Sequence, residues 1–250
     1  MLIRWIKRLV LLTWLLLTII AIGAVVAHYK LKEALAQPLA LSENTEIQIR
    51  AGQSVRTVLL QWQQQGWIKD EIWLRLALKR QPELANIKVG TYELSAAISA
   101  QDALQQLVDG KELQFSVTLV EGGTIAQWLT QVASLERLTH SIESPTHLAE
   151  LLGIDNVNPE GWFYPDTYSY SAGSSDLDIF RRAYLRMEQA LTEAWEQRQD
   201  NLPLKSPYEM LILASIVEKE TAVAEERPMV ASVFVNRLNI GMRLQTDPTV

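Results

Sequence analysis

The hydrophobic pattern divides the chain into an apolar N-terminal run and a body with alternating and helical periodicities. Residues 9–27 are uncharged and largely apolar. As a helix, this run spans about 29 Å at about 1.5 Å per residue, which is close to the thickness of a bilayer's hydrocarbon core. The pattern therefore predicts a transmembrane anchor at residues 9–28, a linker at residues 29–46 and an α+β body beyond it.

Alternating and amphipathic segments follow one another in the first part of the body. The alternations at residues 47–50 and 89–94 predict strands. Helices are predicted to begin after Ser54 and Ser99, because a hydroxyl that accepts from a backbone amide commonly precedes the first helical residue. Together these elements predict a small strand-helix subdomain at residues 47–110.

One unit of strand, glycine turn, hydroxyl cap and helix occurs twice, with an offset of 70 residues. Ser54 supplies the hydroxyl in the first copy and Thr124 supplies it in the second. Gln127, three residues after Thr124, completes a capping box in the second copy. An internal duplication and a common unit used twice explain this pattern equally well.

Two helices and a polar loop are predicted in the second part of the body. A long helix follows Ser175, and its apolar residues lie on one stripe, as is typical of a helix packed on a core. Another helix follows Glu225, with an inward face made of Val230, Val233, Phe234 and Leu238. Polar groups concentrate in the loop or hairpin at residues 241–248, as in a groove for a hydroxyl-rich ligand, although ordinary loop chemistry explains them as well.

The segment that precedes Glu218 predicts a buried helix, because residues 210–217 are apolar on nearly all sides. Glu218 shares a face with Leu211, Ala214 and Ser215 by helical spacing. Burial raises the pKa of a carboxyl group and keeps its proton available, as a general acid for glycosidic cleavage requires. The alternative is a glutamate that reaches the surface at a helix end, or pairs with a nearby Lys or Arg.

Charge and composition exclude several classes of function. The formal net charge is −6, but the first 32 residues hold five basic side chains and no acid, so the rest carries 18 basic against 29 acidic side chains, a net charge of −11. Such an acidic body is a poor partner for nucleic-acid phosphates. The absence of cysteine excludes disulfides, thiolate nucleophiles and Cys-ligated zinc. The three histidines lack helical metal-ligand spacing, so no metal site is predicted.

Basic residues at the N-terminus predict the orientation of the anchor. Arg4, Lys7 and Arg8 precede the apolar run, and an acidic body follows it. The positive-inside rule then favours a cytoplasmic segment at residues 1–8 and an exported body. A cleaved signal peptide is the alternative, with small residues at Ala27 or Ala36, but signal peptides usually have apolar regions of about 7–15 residues.

Five motifs together carry a family resemblance. They are PEGWFYPDTY at 159–168, ASIVEKET at 214–221, EERP at 225–228, VFVNRL at 233–238 and MRLQTDPTV at 242–250. These motifs closely resemble those of the MltG (YceG-like) family of endolytic murein transglycosylases. The resemblance covers nearly the whole chain: the anchor fits the family, residues 47–110 look like its LysM-like subdomain, and residues 115–250 look like its catalytic domain.

The resemblance implies an enzyme of the bacterial cell wall. Such a lytic transglycosylase cleaves the bond between N-acetylmuramic acid (MurNAc) and N-acetylglucosamine (GlcNAc) in nascent peptidoglycan strands, forms 1,6-anhydro-MurNAc ends and limits strand elongation. It would be anchored by one span in the inner membrane, with its catalytic domain in the periplasm. The implied partners are glycan strands, the membrane and cell-wall synthases, without nucleic acid, metal or cofactor.

The resemblance also assigns residues. The family's catalytic glutamate falls on Glu218, and its groove motifs fall on Asn236, Gln245, Thr246 and Asp247. Within the first motif, Glu160, Tyr164 and Asp166 either contact the ligand or only stabilise a turn. Family members continue past the last motif, in which this sequence stops at Val250, so we expect an incomplete cleft in the chain as given.

Two other functions remain open at the level of sequence. A lysozyme-like hydrolase would need a second acid, for which Asp247 is the first candidate. A non-enzymatic scaffold that binds peptidoglycan would need only the LysM-like region.

Overall fold

The N-terminal apolar run forms one long helix. In the computed structural model, which describes residues 2–154 and 158–245 with side chains from residue 11 onward, helix α1 extends over Leu2–Ala36. Its stretch Leu11–Ala36 has a mean hydropathy of 2.2 and is long and apolar enough to cross a membrane, a criterion that a signal sequence also meets. Helix α1 is therefore compatible with a single-pass anchor.

Helix α1 does not end where the apolar run ends. The predicted linker at residues 29–46 is helical as far as Ala36, and Leu31, Ala34 and Leu35 are buried in a core. The helix continues because residues 28–36 contain neither glycine nor proline, and Pro38 is the first helix-breaking residue after them. The three buried residues are spaced as on one helix face, which allows them to pack.

The chain divides into two units, Met1–Leu113 (unit 1) and Gln114–Val250 (unit 2). In unit 1, strands β1 (Thr45–Ile49) and β2 (Gly90–Leu94) pair antiparallel. Its further helices are α2 (Val55–Gln64), α3 (Glu71–Leu78) and α4 (Ala100–Asp109). The predicted caps are present, since Ser54 accepts from the Thr57 amide at 3.3 Å and Ser99 accepts from the Asp102 amide at 3.0 Å. Unit 1 thus follows the local signals of the sequence closely.

Unit 2 repeats the antiparallel pairing with more helices. Strand β3 (Gln114–Thr118) pairs with β4 (Thr167–Ser171). The helices are α5 (Ile125–Ala133), α6 (Pro145–Leu152), α7 (Asp176–Glu196), α8 (Pro207–Glu220) and α9 (Arg227–Asn239), with a 3-10 turn at Ala224–Glu226 before α9. The predicted capping box at Thr124 and Gln127 is present. The α+β class predicted from the sequence is confirmed.

Unit 2 has a main core and a smaller helical one. Phe163 and Phe180 meet edge to face at 5.6 Å between ring centroids in the main core, where Leu119 and Leu148 are also fully buried. The smaller core lies between α8 and α9 and contains Phe234. Because this second core is small, α8 has a well-covered side and a poorly covered side.

A buried carboxylate fixes the start of α7 to a distant loop. Asp176 is 3% exposed and accepts hydrogen bonds from the amides of Ser141, Ile142 and Leu177 and from the Ser141 hydroxyl. Burial acts to raise the pKa of Asp176, but these hydrogen bonds together outweigh it and hold the pKa below its usual value. The distance from His140 Nδ1 to Asp176 Oδ2 is 3.8 Å.

Candidate active site

One face of α8 forms the wall of a cleft. Leu213, Ile216 and Val217 are the buried residues of this helix and belong to the small core with Phe234 of α9. The prediction that α8 is buried on nearly all sides is wrong, because its other apolar face lines a cavity. That cleft-facing side ends in Glu218.

The large cleft of unit 2 has a volume of about 700 Å³. Its walls come from the glycine turn before α5, the segment that follows residue 159, helix α7 and helix α8. Glu218 lines it together with Leu211, Ala214 and Ser215, the residues that the helical spacing placed on one face. A cleft of this size accommodates a ligand of several hundred Å³.

A second cavity lies on the other side of Glu218. It has a volume of about 560 Å³ and is lined mostly by apolar residues of α8, α9 and the turn between α7 and α8, including Leu204, Val217 and Val235. Ala214 and Glu218 line both cavities. The carboxylate therefore stands on a ridge between two concave surfaces.

The Glu218 carboxylate is exposed and ion-paired. Its side chain is 39% exposed, and Oε2 lies 3.2 Å from Nη2 of Arg227, the first residue of α9. The prediction of a buried carboxyl group is thus wrong, while the alternative of a glutamate paired with a nearby arginine describes this structure. Among the described residues, Oε1 of Glu218 has no hydrogen-bond partner, so this oxygen is available to a ligand.

Lys219 connects the end of α8 to the glycine turn. Its Nζ donates to the carbonyl oxygen of Gly122 at 2.7 Å, across 97 positions of sequence. Gly122 has φ +70°, a conformation that favours glycine. Both residues line the large cleft. The hydrogen bond therefore holds two walls of the cleft together beside Glu218.

Trp128 of α5 packs tightly against the same turn. A Cβ atom at Gly123 would lie 2.5 Å from Nε1 of Trp128 and 3.1 Å from the carbonyl oxygen of Val120. The absence of a side chain at Gly123 is what lets the indole approach the turn. Nε1 is buried and has no hydrogen-bond partner among the described residues. Trp128 and Gly123 both line the large cleft.

Glu160 caps α5 from the segment opposite. Its Oε1 and Oε2 accept from the amide of Ile125, the first residue of α5, at 3.0 and 3.2 Å. A carboxylate at a helix N-terminus is stabilised by the unpaired amides and by the helix dipole. Glu160 also lines the large cleft. Its structural role is therefore visible, and contact with a ligand stays a prediction.

Tyr164 is held in the cleft wall by its neighbours. Its carbonyl oxygen accepts from the Tyr168 hydroxyl at 2.7 Å, and Arg186 lies over its ring at 4.7 Å from the centroid. Arg186 also pairs with Asp166. Burial raises the pKa of Tyr168 to about 12, so its hydroxyl remains a donor at neutral pH. Tyr164 lines the large cleft, whereas Asp166 lies outside its lining and holds Arg186.

Tyr208 lines the large cleft and stacks on Trp162, which lies outside the cleft lining. The rings of Trp162 and Tyr208 are 5.4 Å apart between centroids and 7° from parallel. Tyr208, the second residue of α8, is 37% exposed and lines the cleft. An aromatic ring backed by a second ring is a rigid, flat surface on which the apolar face of a ligand can lie.

Comparison with known proteins decides the family. A model of the YceG-like family matches residues 47–250. The chain belongs to the YceG-like family. The resemblance seen in the sequence is thereby confirmed, and the region matched contains both cavities and most of unit 1.

Two relatives of this YceG-like chain are named endolytic murein transglycosylases. An endolytic murein transglycosylase of Bacillus subtilis is 25% identical in an alignment of 239 positions that covers 87% of this chain and 66% of that protein. One of Streptococcus pneumoniae is 26% identical in an alignment of 193 positions that covers 65% of this chain and 34% of that protein. The matched segments thus span less than two thirds of these relatives. A crystal structure of a YceG-like protein from Listeria monocytogenes is 25% identical, covers 84% of this chain and 75% of that chain, and has a TM-score of 0.42.

The predicted groove residues of the YceG-like motifs lie apart from both cavities where the structure describes them. Asn236 and Gln245 are exposed and belong to the lining of neither cavity. Thr246 and Asp247 lie outside the described residues. The predicted inward residue Val233 is 45% exposed, because only one face of α9 meets α8. The ligand-binding roles of the four groove residues stay predictions.

Several cleft residues of this YceG-like chain were not predicted from the sequence. The sequence indicates no role for Arg227 beyond its place in the EERP motif, and none for Trp128 or Tyr208. Two features of the sequence point toward these residues. Lys219 directly follows Glu218, and the glycine turn before Trp128 belongs to the unit that occurs twice in the chain. What these signals lacked was the long-range contact that brings the turn to the end of α8.

Proposed function

We propose that this chain is an endolytic peptidoglycan lytic transglycosylase in which Glu218 is the general acid and base. The supporting observation is the position of Glu218 on a ridge between two cavities of unit 2. An enzyme that cuts within a strand must bind sugars on both sides of the scissile bond. A carboxylate with a cavity on each side meets this requirement. The names of the relatives point to the same substrate.

The proposed reaction needs one carboxyl group. Protonated Glu218 gives its proton to the oxygen between MurNAc and GlcNAc as the bond from that oxygen to C1 of MurNAc breaks. The 6-hydroxyl oxygen of the same MurNAc then bonds to C1, and its proton passes to the Glu218 carboxylate. The products are a 1,6-anhydro-MurNAc end and a GlcNAc end with a free hydroxyl. The attack is intramolecular, so it gains from proximity.

Two cations near Glu218 have distinct proposed roles. Arg227 pairs with Oε2 and holds the carboxylate on the ridge. Lys219 fixes the glycine turn through Gly122 and thereby keeps the large cleft open next to the reacting bond. Neither cation is required to transfer a proton in this scheme.

The proposed location follows from α1. We propose that α1 anchors the enzyme in the inner membrane, with its N-terminus in the cytoplasm and both units in the periplasm. There the enzyme would meet glycan strands as they are made and limit their elongation. The LysM-like region, residues 47–110, would bind glycan, and cell-wall synthases are proposed partners by family resemblance.

The proposed chemistry is tested with purified glycan strands and the full chain in detergent. The strands are digested and their ends identified by mass spectrometry. The native chain is expected to create anhydro ends, and Glu218→Gln is expected to bind strands without cutting them. Glu220→Gln is the matched control, because Glu220 is exposed, lies two residues further along α8 and lines neither cavity. Equal cutting by Glu218→Gln would remove the proposed role of Glu218.

A lysozyme-like hydrolase is the second candidate, because Glu121 lines the same cleft as Glu218. A second carboxylate could activate water, as inverting glycosidases do. Its product would be a reducing MurNAc end, heavier than the anhydro end by the mass of one water. If reducing ends appear and Glu121→Gln abolishes them, the hydrolase replaces the transglycosylase. If neither the native chain nor Glu218→Gln cuts but both bind, the scaffold function replaces both enzymes.

A further inference from the structure

The second cavity beside Glu218 combines an apolar wall with one ion pair. Its lining consists of apolar residues from α8, α9 and the turns that precede them, together with two charged side chains, Glu218 and Arg227. A sugar ring surrounded by hydroxyl groups would leave several of them without hydrogen-bond partners deep in such a cavity. The cavity therefore fits a ligand that is less polar than a sugar and that carries a negative charge for Arg227.

The Arg227 guanidinium has N–H groups to spare. Its Nη2 lies 3.2 Å from Oε2 of Glu218, and its side chain is 44% exposed. In the part of the chain that the structure describes, this ion pair is the only polar contact of the Arg227 side chain. A guanidinium carries five N–H donors, so it can bind both oxygens of a ligand carboxylate while it stays beside Glu218.

The acidic residues that precede Arg227 lie outside the cavity. Glu225 and Glu226 belong to the 3-10 turn before α9, and neither lines the cavity. Oε2 of Glu226 accepts from the Thr221 hydroxyl at 2.9 Å, so this carboxylate is held at the end of α8. Among the described residues that line the cavity, Glu218 is the only acid. In the proposed reaction Glu218 is protonated when the strand is bound, so it does not repel a ligand anion.

Peptidoglycan carries a ligand of this chemistry next to the bond that Glu218 is proposed to protonate. The lactyl group of MurNAc is attached at C3, two bonds from C1 in the same ring, and it bears a short alanine-rich peptide with free carboxylates. Methyl groups of alanine suit the apolar wall, and a carboxylate suits Arg227. Because Glu218 itself lines the cavity, a MurNAc whose C1 is at Glu218 has its peptide at the cavity mouth.

We propose that the second cavity binds the peptide of the MurNAc at which the strand is cut, and that Arg227 binds a carboxylate of this peptide. The inference rests on the proposed function, because it assigns the MurNAc side of the scissile bond to this cavity and the GlcNAc side to the large cleft. The volume of about 560 Å³ is in the range of about 300–1,000 Å³ that is usual for ligand sites. Strands that carry peptides are therefore the preferred substrate, and strands stripped of peptides are poor ones.

A ligand without a scissile bond tests the inference separately from the reaction. The disaccharide GlcNAc-MurNAc contains no MurNAc-GlcNAc bond, so the proposed enzyme cannot cut it. Isothermal titration calorimetry with the full chain in detergent measures its affinity in three forms: with the tripeptide L-alanyl-γ-D-glutamyl-diaminopimelate, with the carboxylates of that tripeptide amidated, and without peptide. The first form is expected to bind about tenfold more tightly than the amidated form, which offers Arg227 no carboxylate. The form without peptide should bind most weakly.

Substitutions assign this preference to the second cavity. Arg227→Gln is expected to bring the two peptide forms to within about twofold of each other. Ala231→Leu fills the cavity but keeps the charge, and it should weaken both peptide forms toward the affinity of the disaccharide without peptide. Arg198→Gln removes the same charge from an exposed position that lines neither cavity, and this control should keep the preference.

Two further controls make the comparison secure. Circular dichroism checks that each variant folds. Glycan binding by residues 47–110 is common to the native chain and the three variants, so it does not produce differences between them.

The inference and the proposed reaction fail in different ways. Equal affinity with and without peptide would refute the role of the cavity, and a preference that Arg227→Gln retains would refute the role of Arg227. If purified strands gain anhydro ends but the native chain shows no preference for the peptide, the reaction stands and the inference is wrong. If the preference is present but no anhydro ends form, the cavity binds the peptide and the proposed reaction is wrong.

Discussion

Tyr208 shows how a single residue can shape the cleft. One face of its ring lies on Trp162, and the residue lines the large cleft at the start of α8. The apolar face of a sugar ring could stack on such a surface, and Tyr208 would then contribute to binding without taking part in proton transfer. This role differs from the one proposed for Glu218, so substitutions of the two residues should change different kinetic parameters.

Replacing Tyr208 is expected to weaken binding. Tyr208→Ala removes the stacking surface and should raise KM for glycan strands about tenfold, equivalent to about 1.4 kcal/mol, with kcat little changed. Tyr208→Phe keeps the ring and is the control, expected to stay within about twofold of the native chain. Steady-state kinetics on strands of defined length provides the measurement. A loss in kcat alone would contradict a role in binding.

Asp176 gives stability that depends on pH. Its pKa is below the usual value in the folded state, so its contribution is fully present above the unfolded pKa of about 3.9 and is lost as pH falls through the lower folded value. Asp176→Asn should therefore cost about 2 kcal/mol at pH 7, as expected for buried hydrogen bonds to a charge. The cost should shrink below about pH 4.

Urea unfolding of the native chain and Asp176→Asn between pH 7 and pH 3 measures this difference. Both proteins should carry His140→Gln, because the His140 ring lies 3.8 Å from the carboxylate and its removal leaves Asp176 as the group under test. A cost that stays constant over the whole range would mean that the carboxylate's charge does not supply the stability.

At the scale of elements, the glycine turn and α5 act as one piece of the cleft wall. Trp128 is 7% exposed, and Gly123 leaves room for its indole. Because the Trp128 indole is bulky and buried, it cannot move aside to make room for a side chain at Gly123. The turn and the helix must therefore shift together if the space between them is filled.

Gly123→Ala tests this contact. The added Cβ would lie 2.5 Å from Trp128 Nε1, so the substitution should cost about 1–3 kcal/mol and raise KM, because both residues line the cleft. In a Trp128→Phe background, which removes the clashing atoms, the cost of Gly123→Ala should fall by about 1 kcal/mol or more. Urea unfolding of the four proteins completes the cycle. Simple additivity of the two changes would argue against the contact.

At the scale of the whole molecule, α1 contributes to unit 1 as well as to the apolar span. Leu31 and Leu35 are 8% and 7% exposed, and both belong to the core that contains Trp62 and Tyr92. A soluble form of the protein must therefore begin directly after the apolar span, so that it keeps the last turns of α1.

Two fragments distinguish these cuts. Residues 28–250 keep the buried turns of α1, whereas residues 37–250 lose Leu31, Ala34 and Leu35. The shorter fragment should be less stable by about 4 kcal/mol, as expected when two buried leucines are removed. Thermal unfolding followed by circular dichroism should show a lower midpoint for the transition of unit 1 in that fragment. Equal midpoints would mean that the last turns of α1 do not stabilise unit 1.

The sequence alone determined the local elements and the family. The caps at Ser54, Ser99 and Thr124 all form, because each depends on a hydroxyl and an amide three residues apart. The helical spacing also placed Leu211 and Glu218 on one face correctly. Such features depend on interactions within one or two turns, so they can be predicted without knowledge of the fold.

Tertiary structure decided what surrounds those elements. Periodicity showed that α8 is apolar but not that one side would face a cavity, which depends on the small core shared with α9. The link between Lys219 and Gly122 and the burial of Leu35 depend on segments far away in the sequence. Contacts between distant segments form only when the chain folds, and for that reason the exposure of Glu218 and the course of α1 were wrongly predicted.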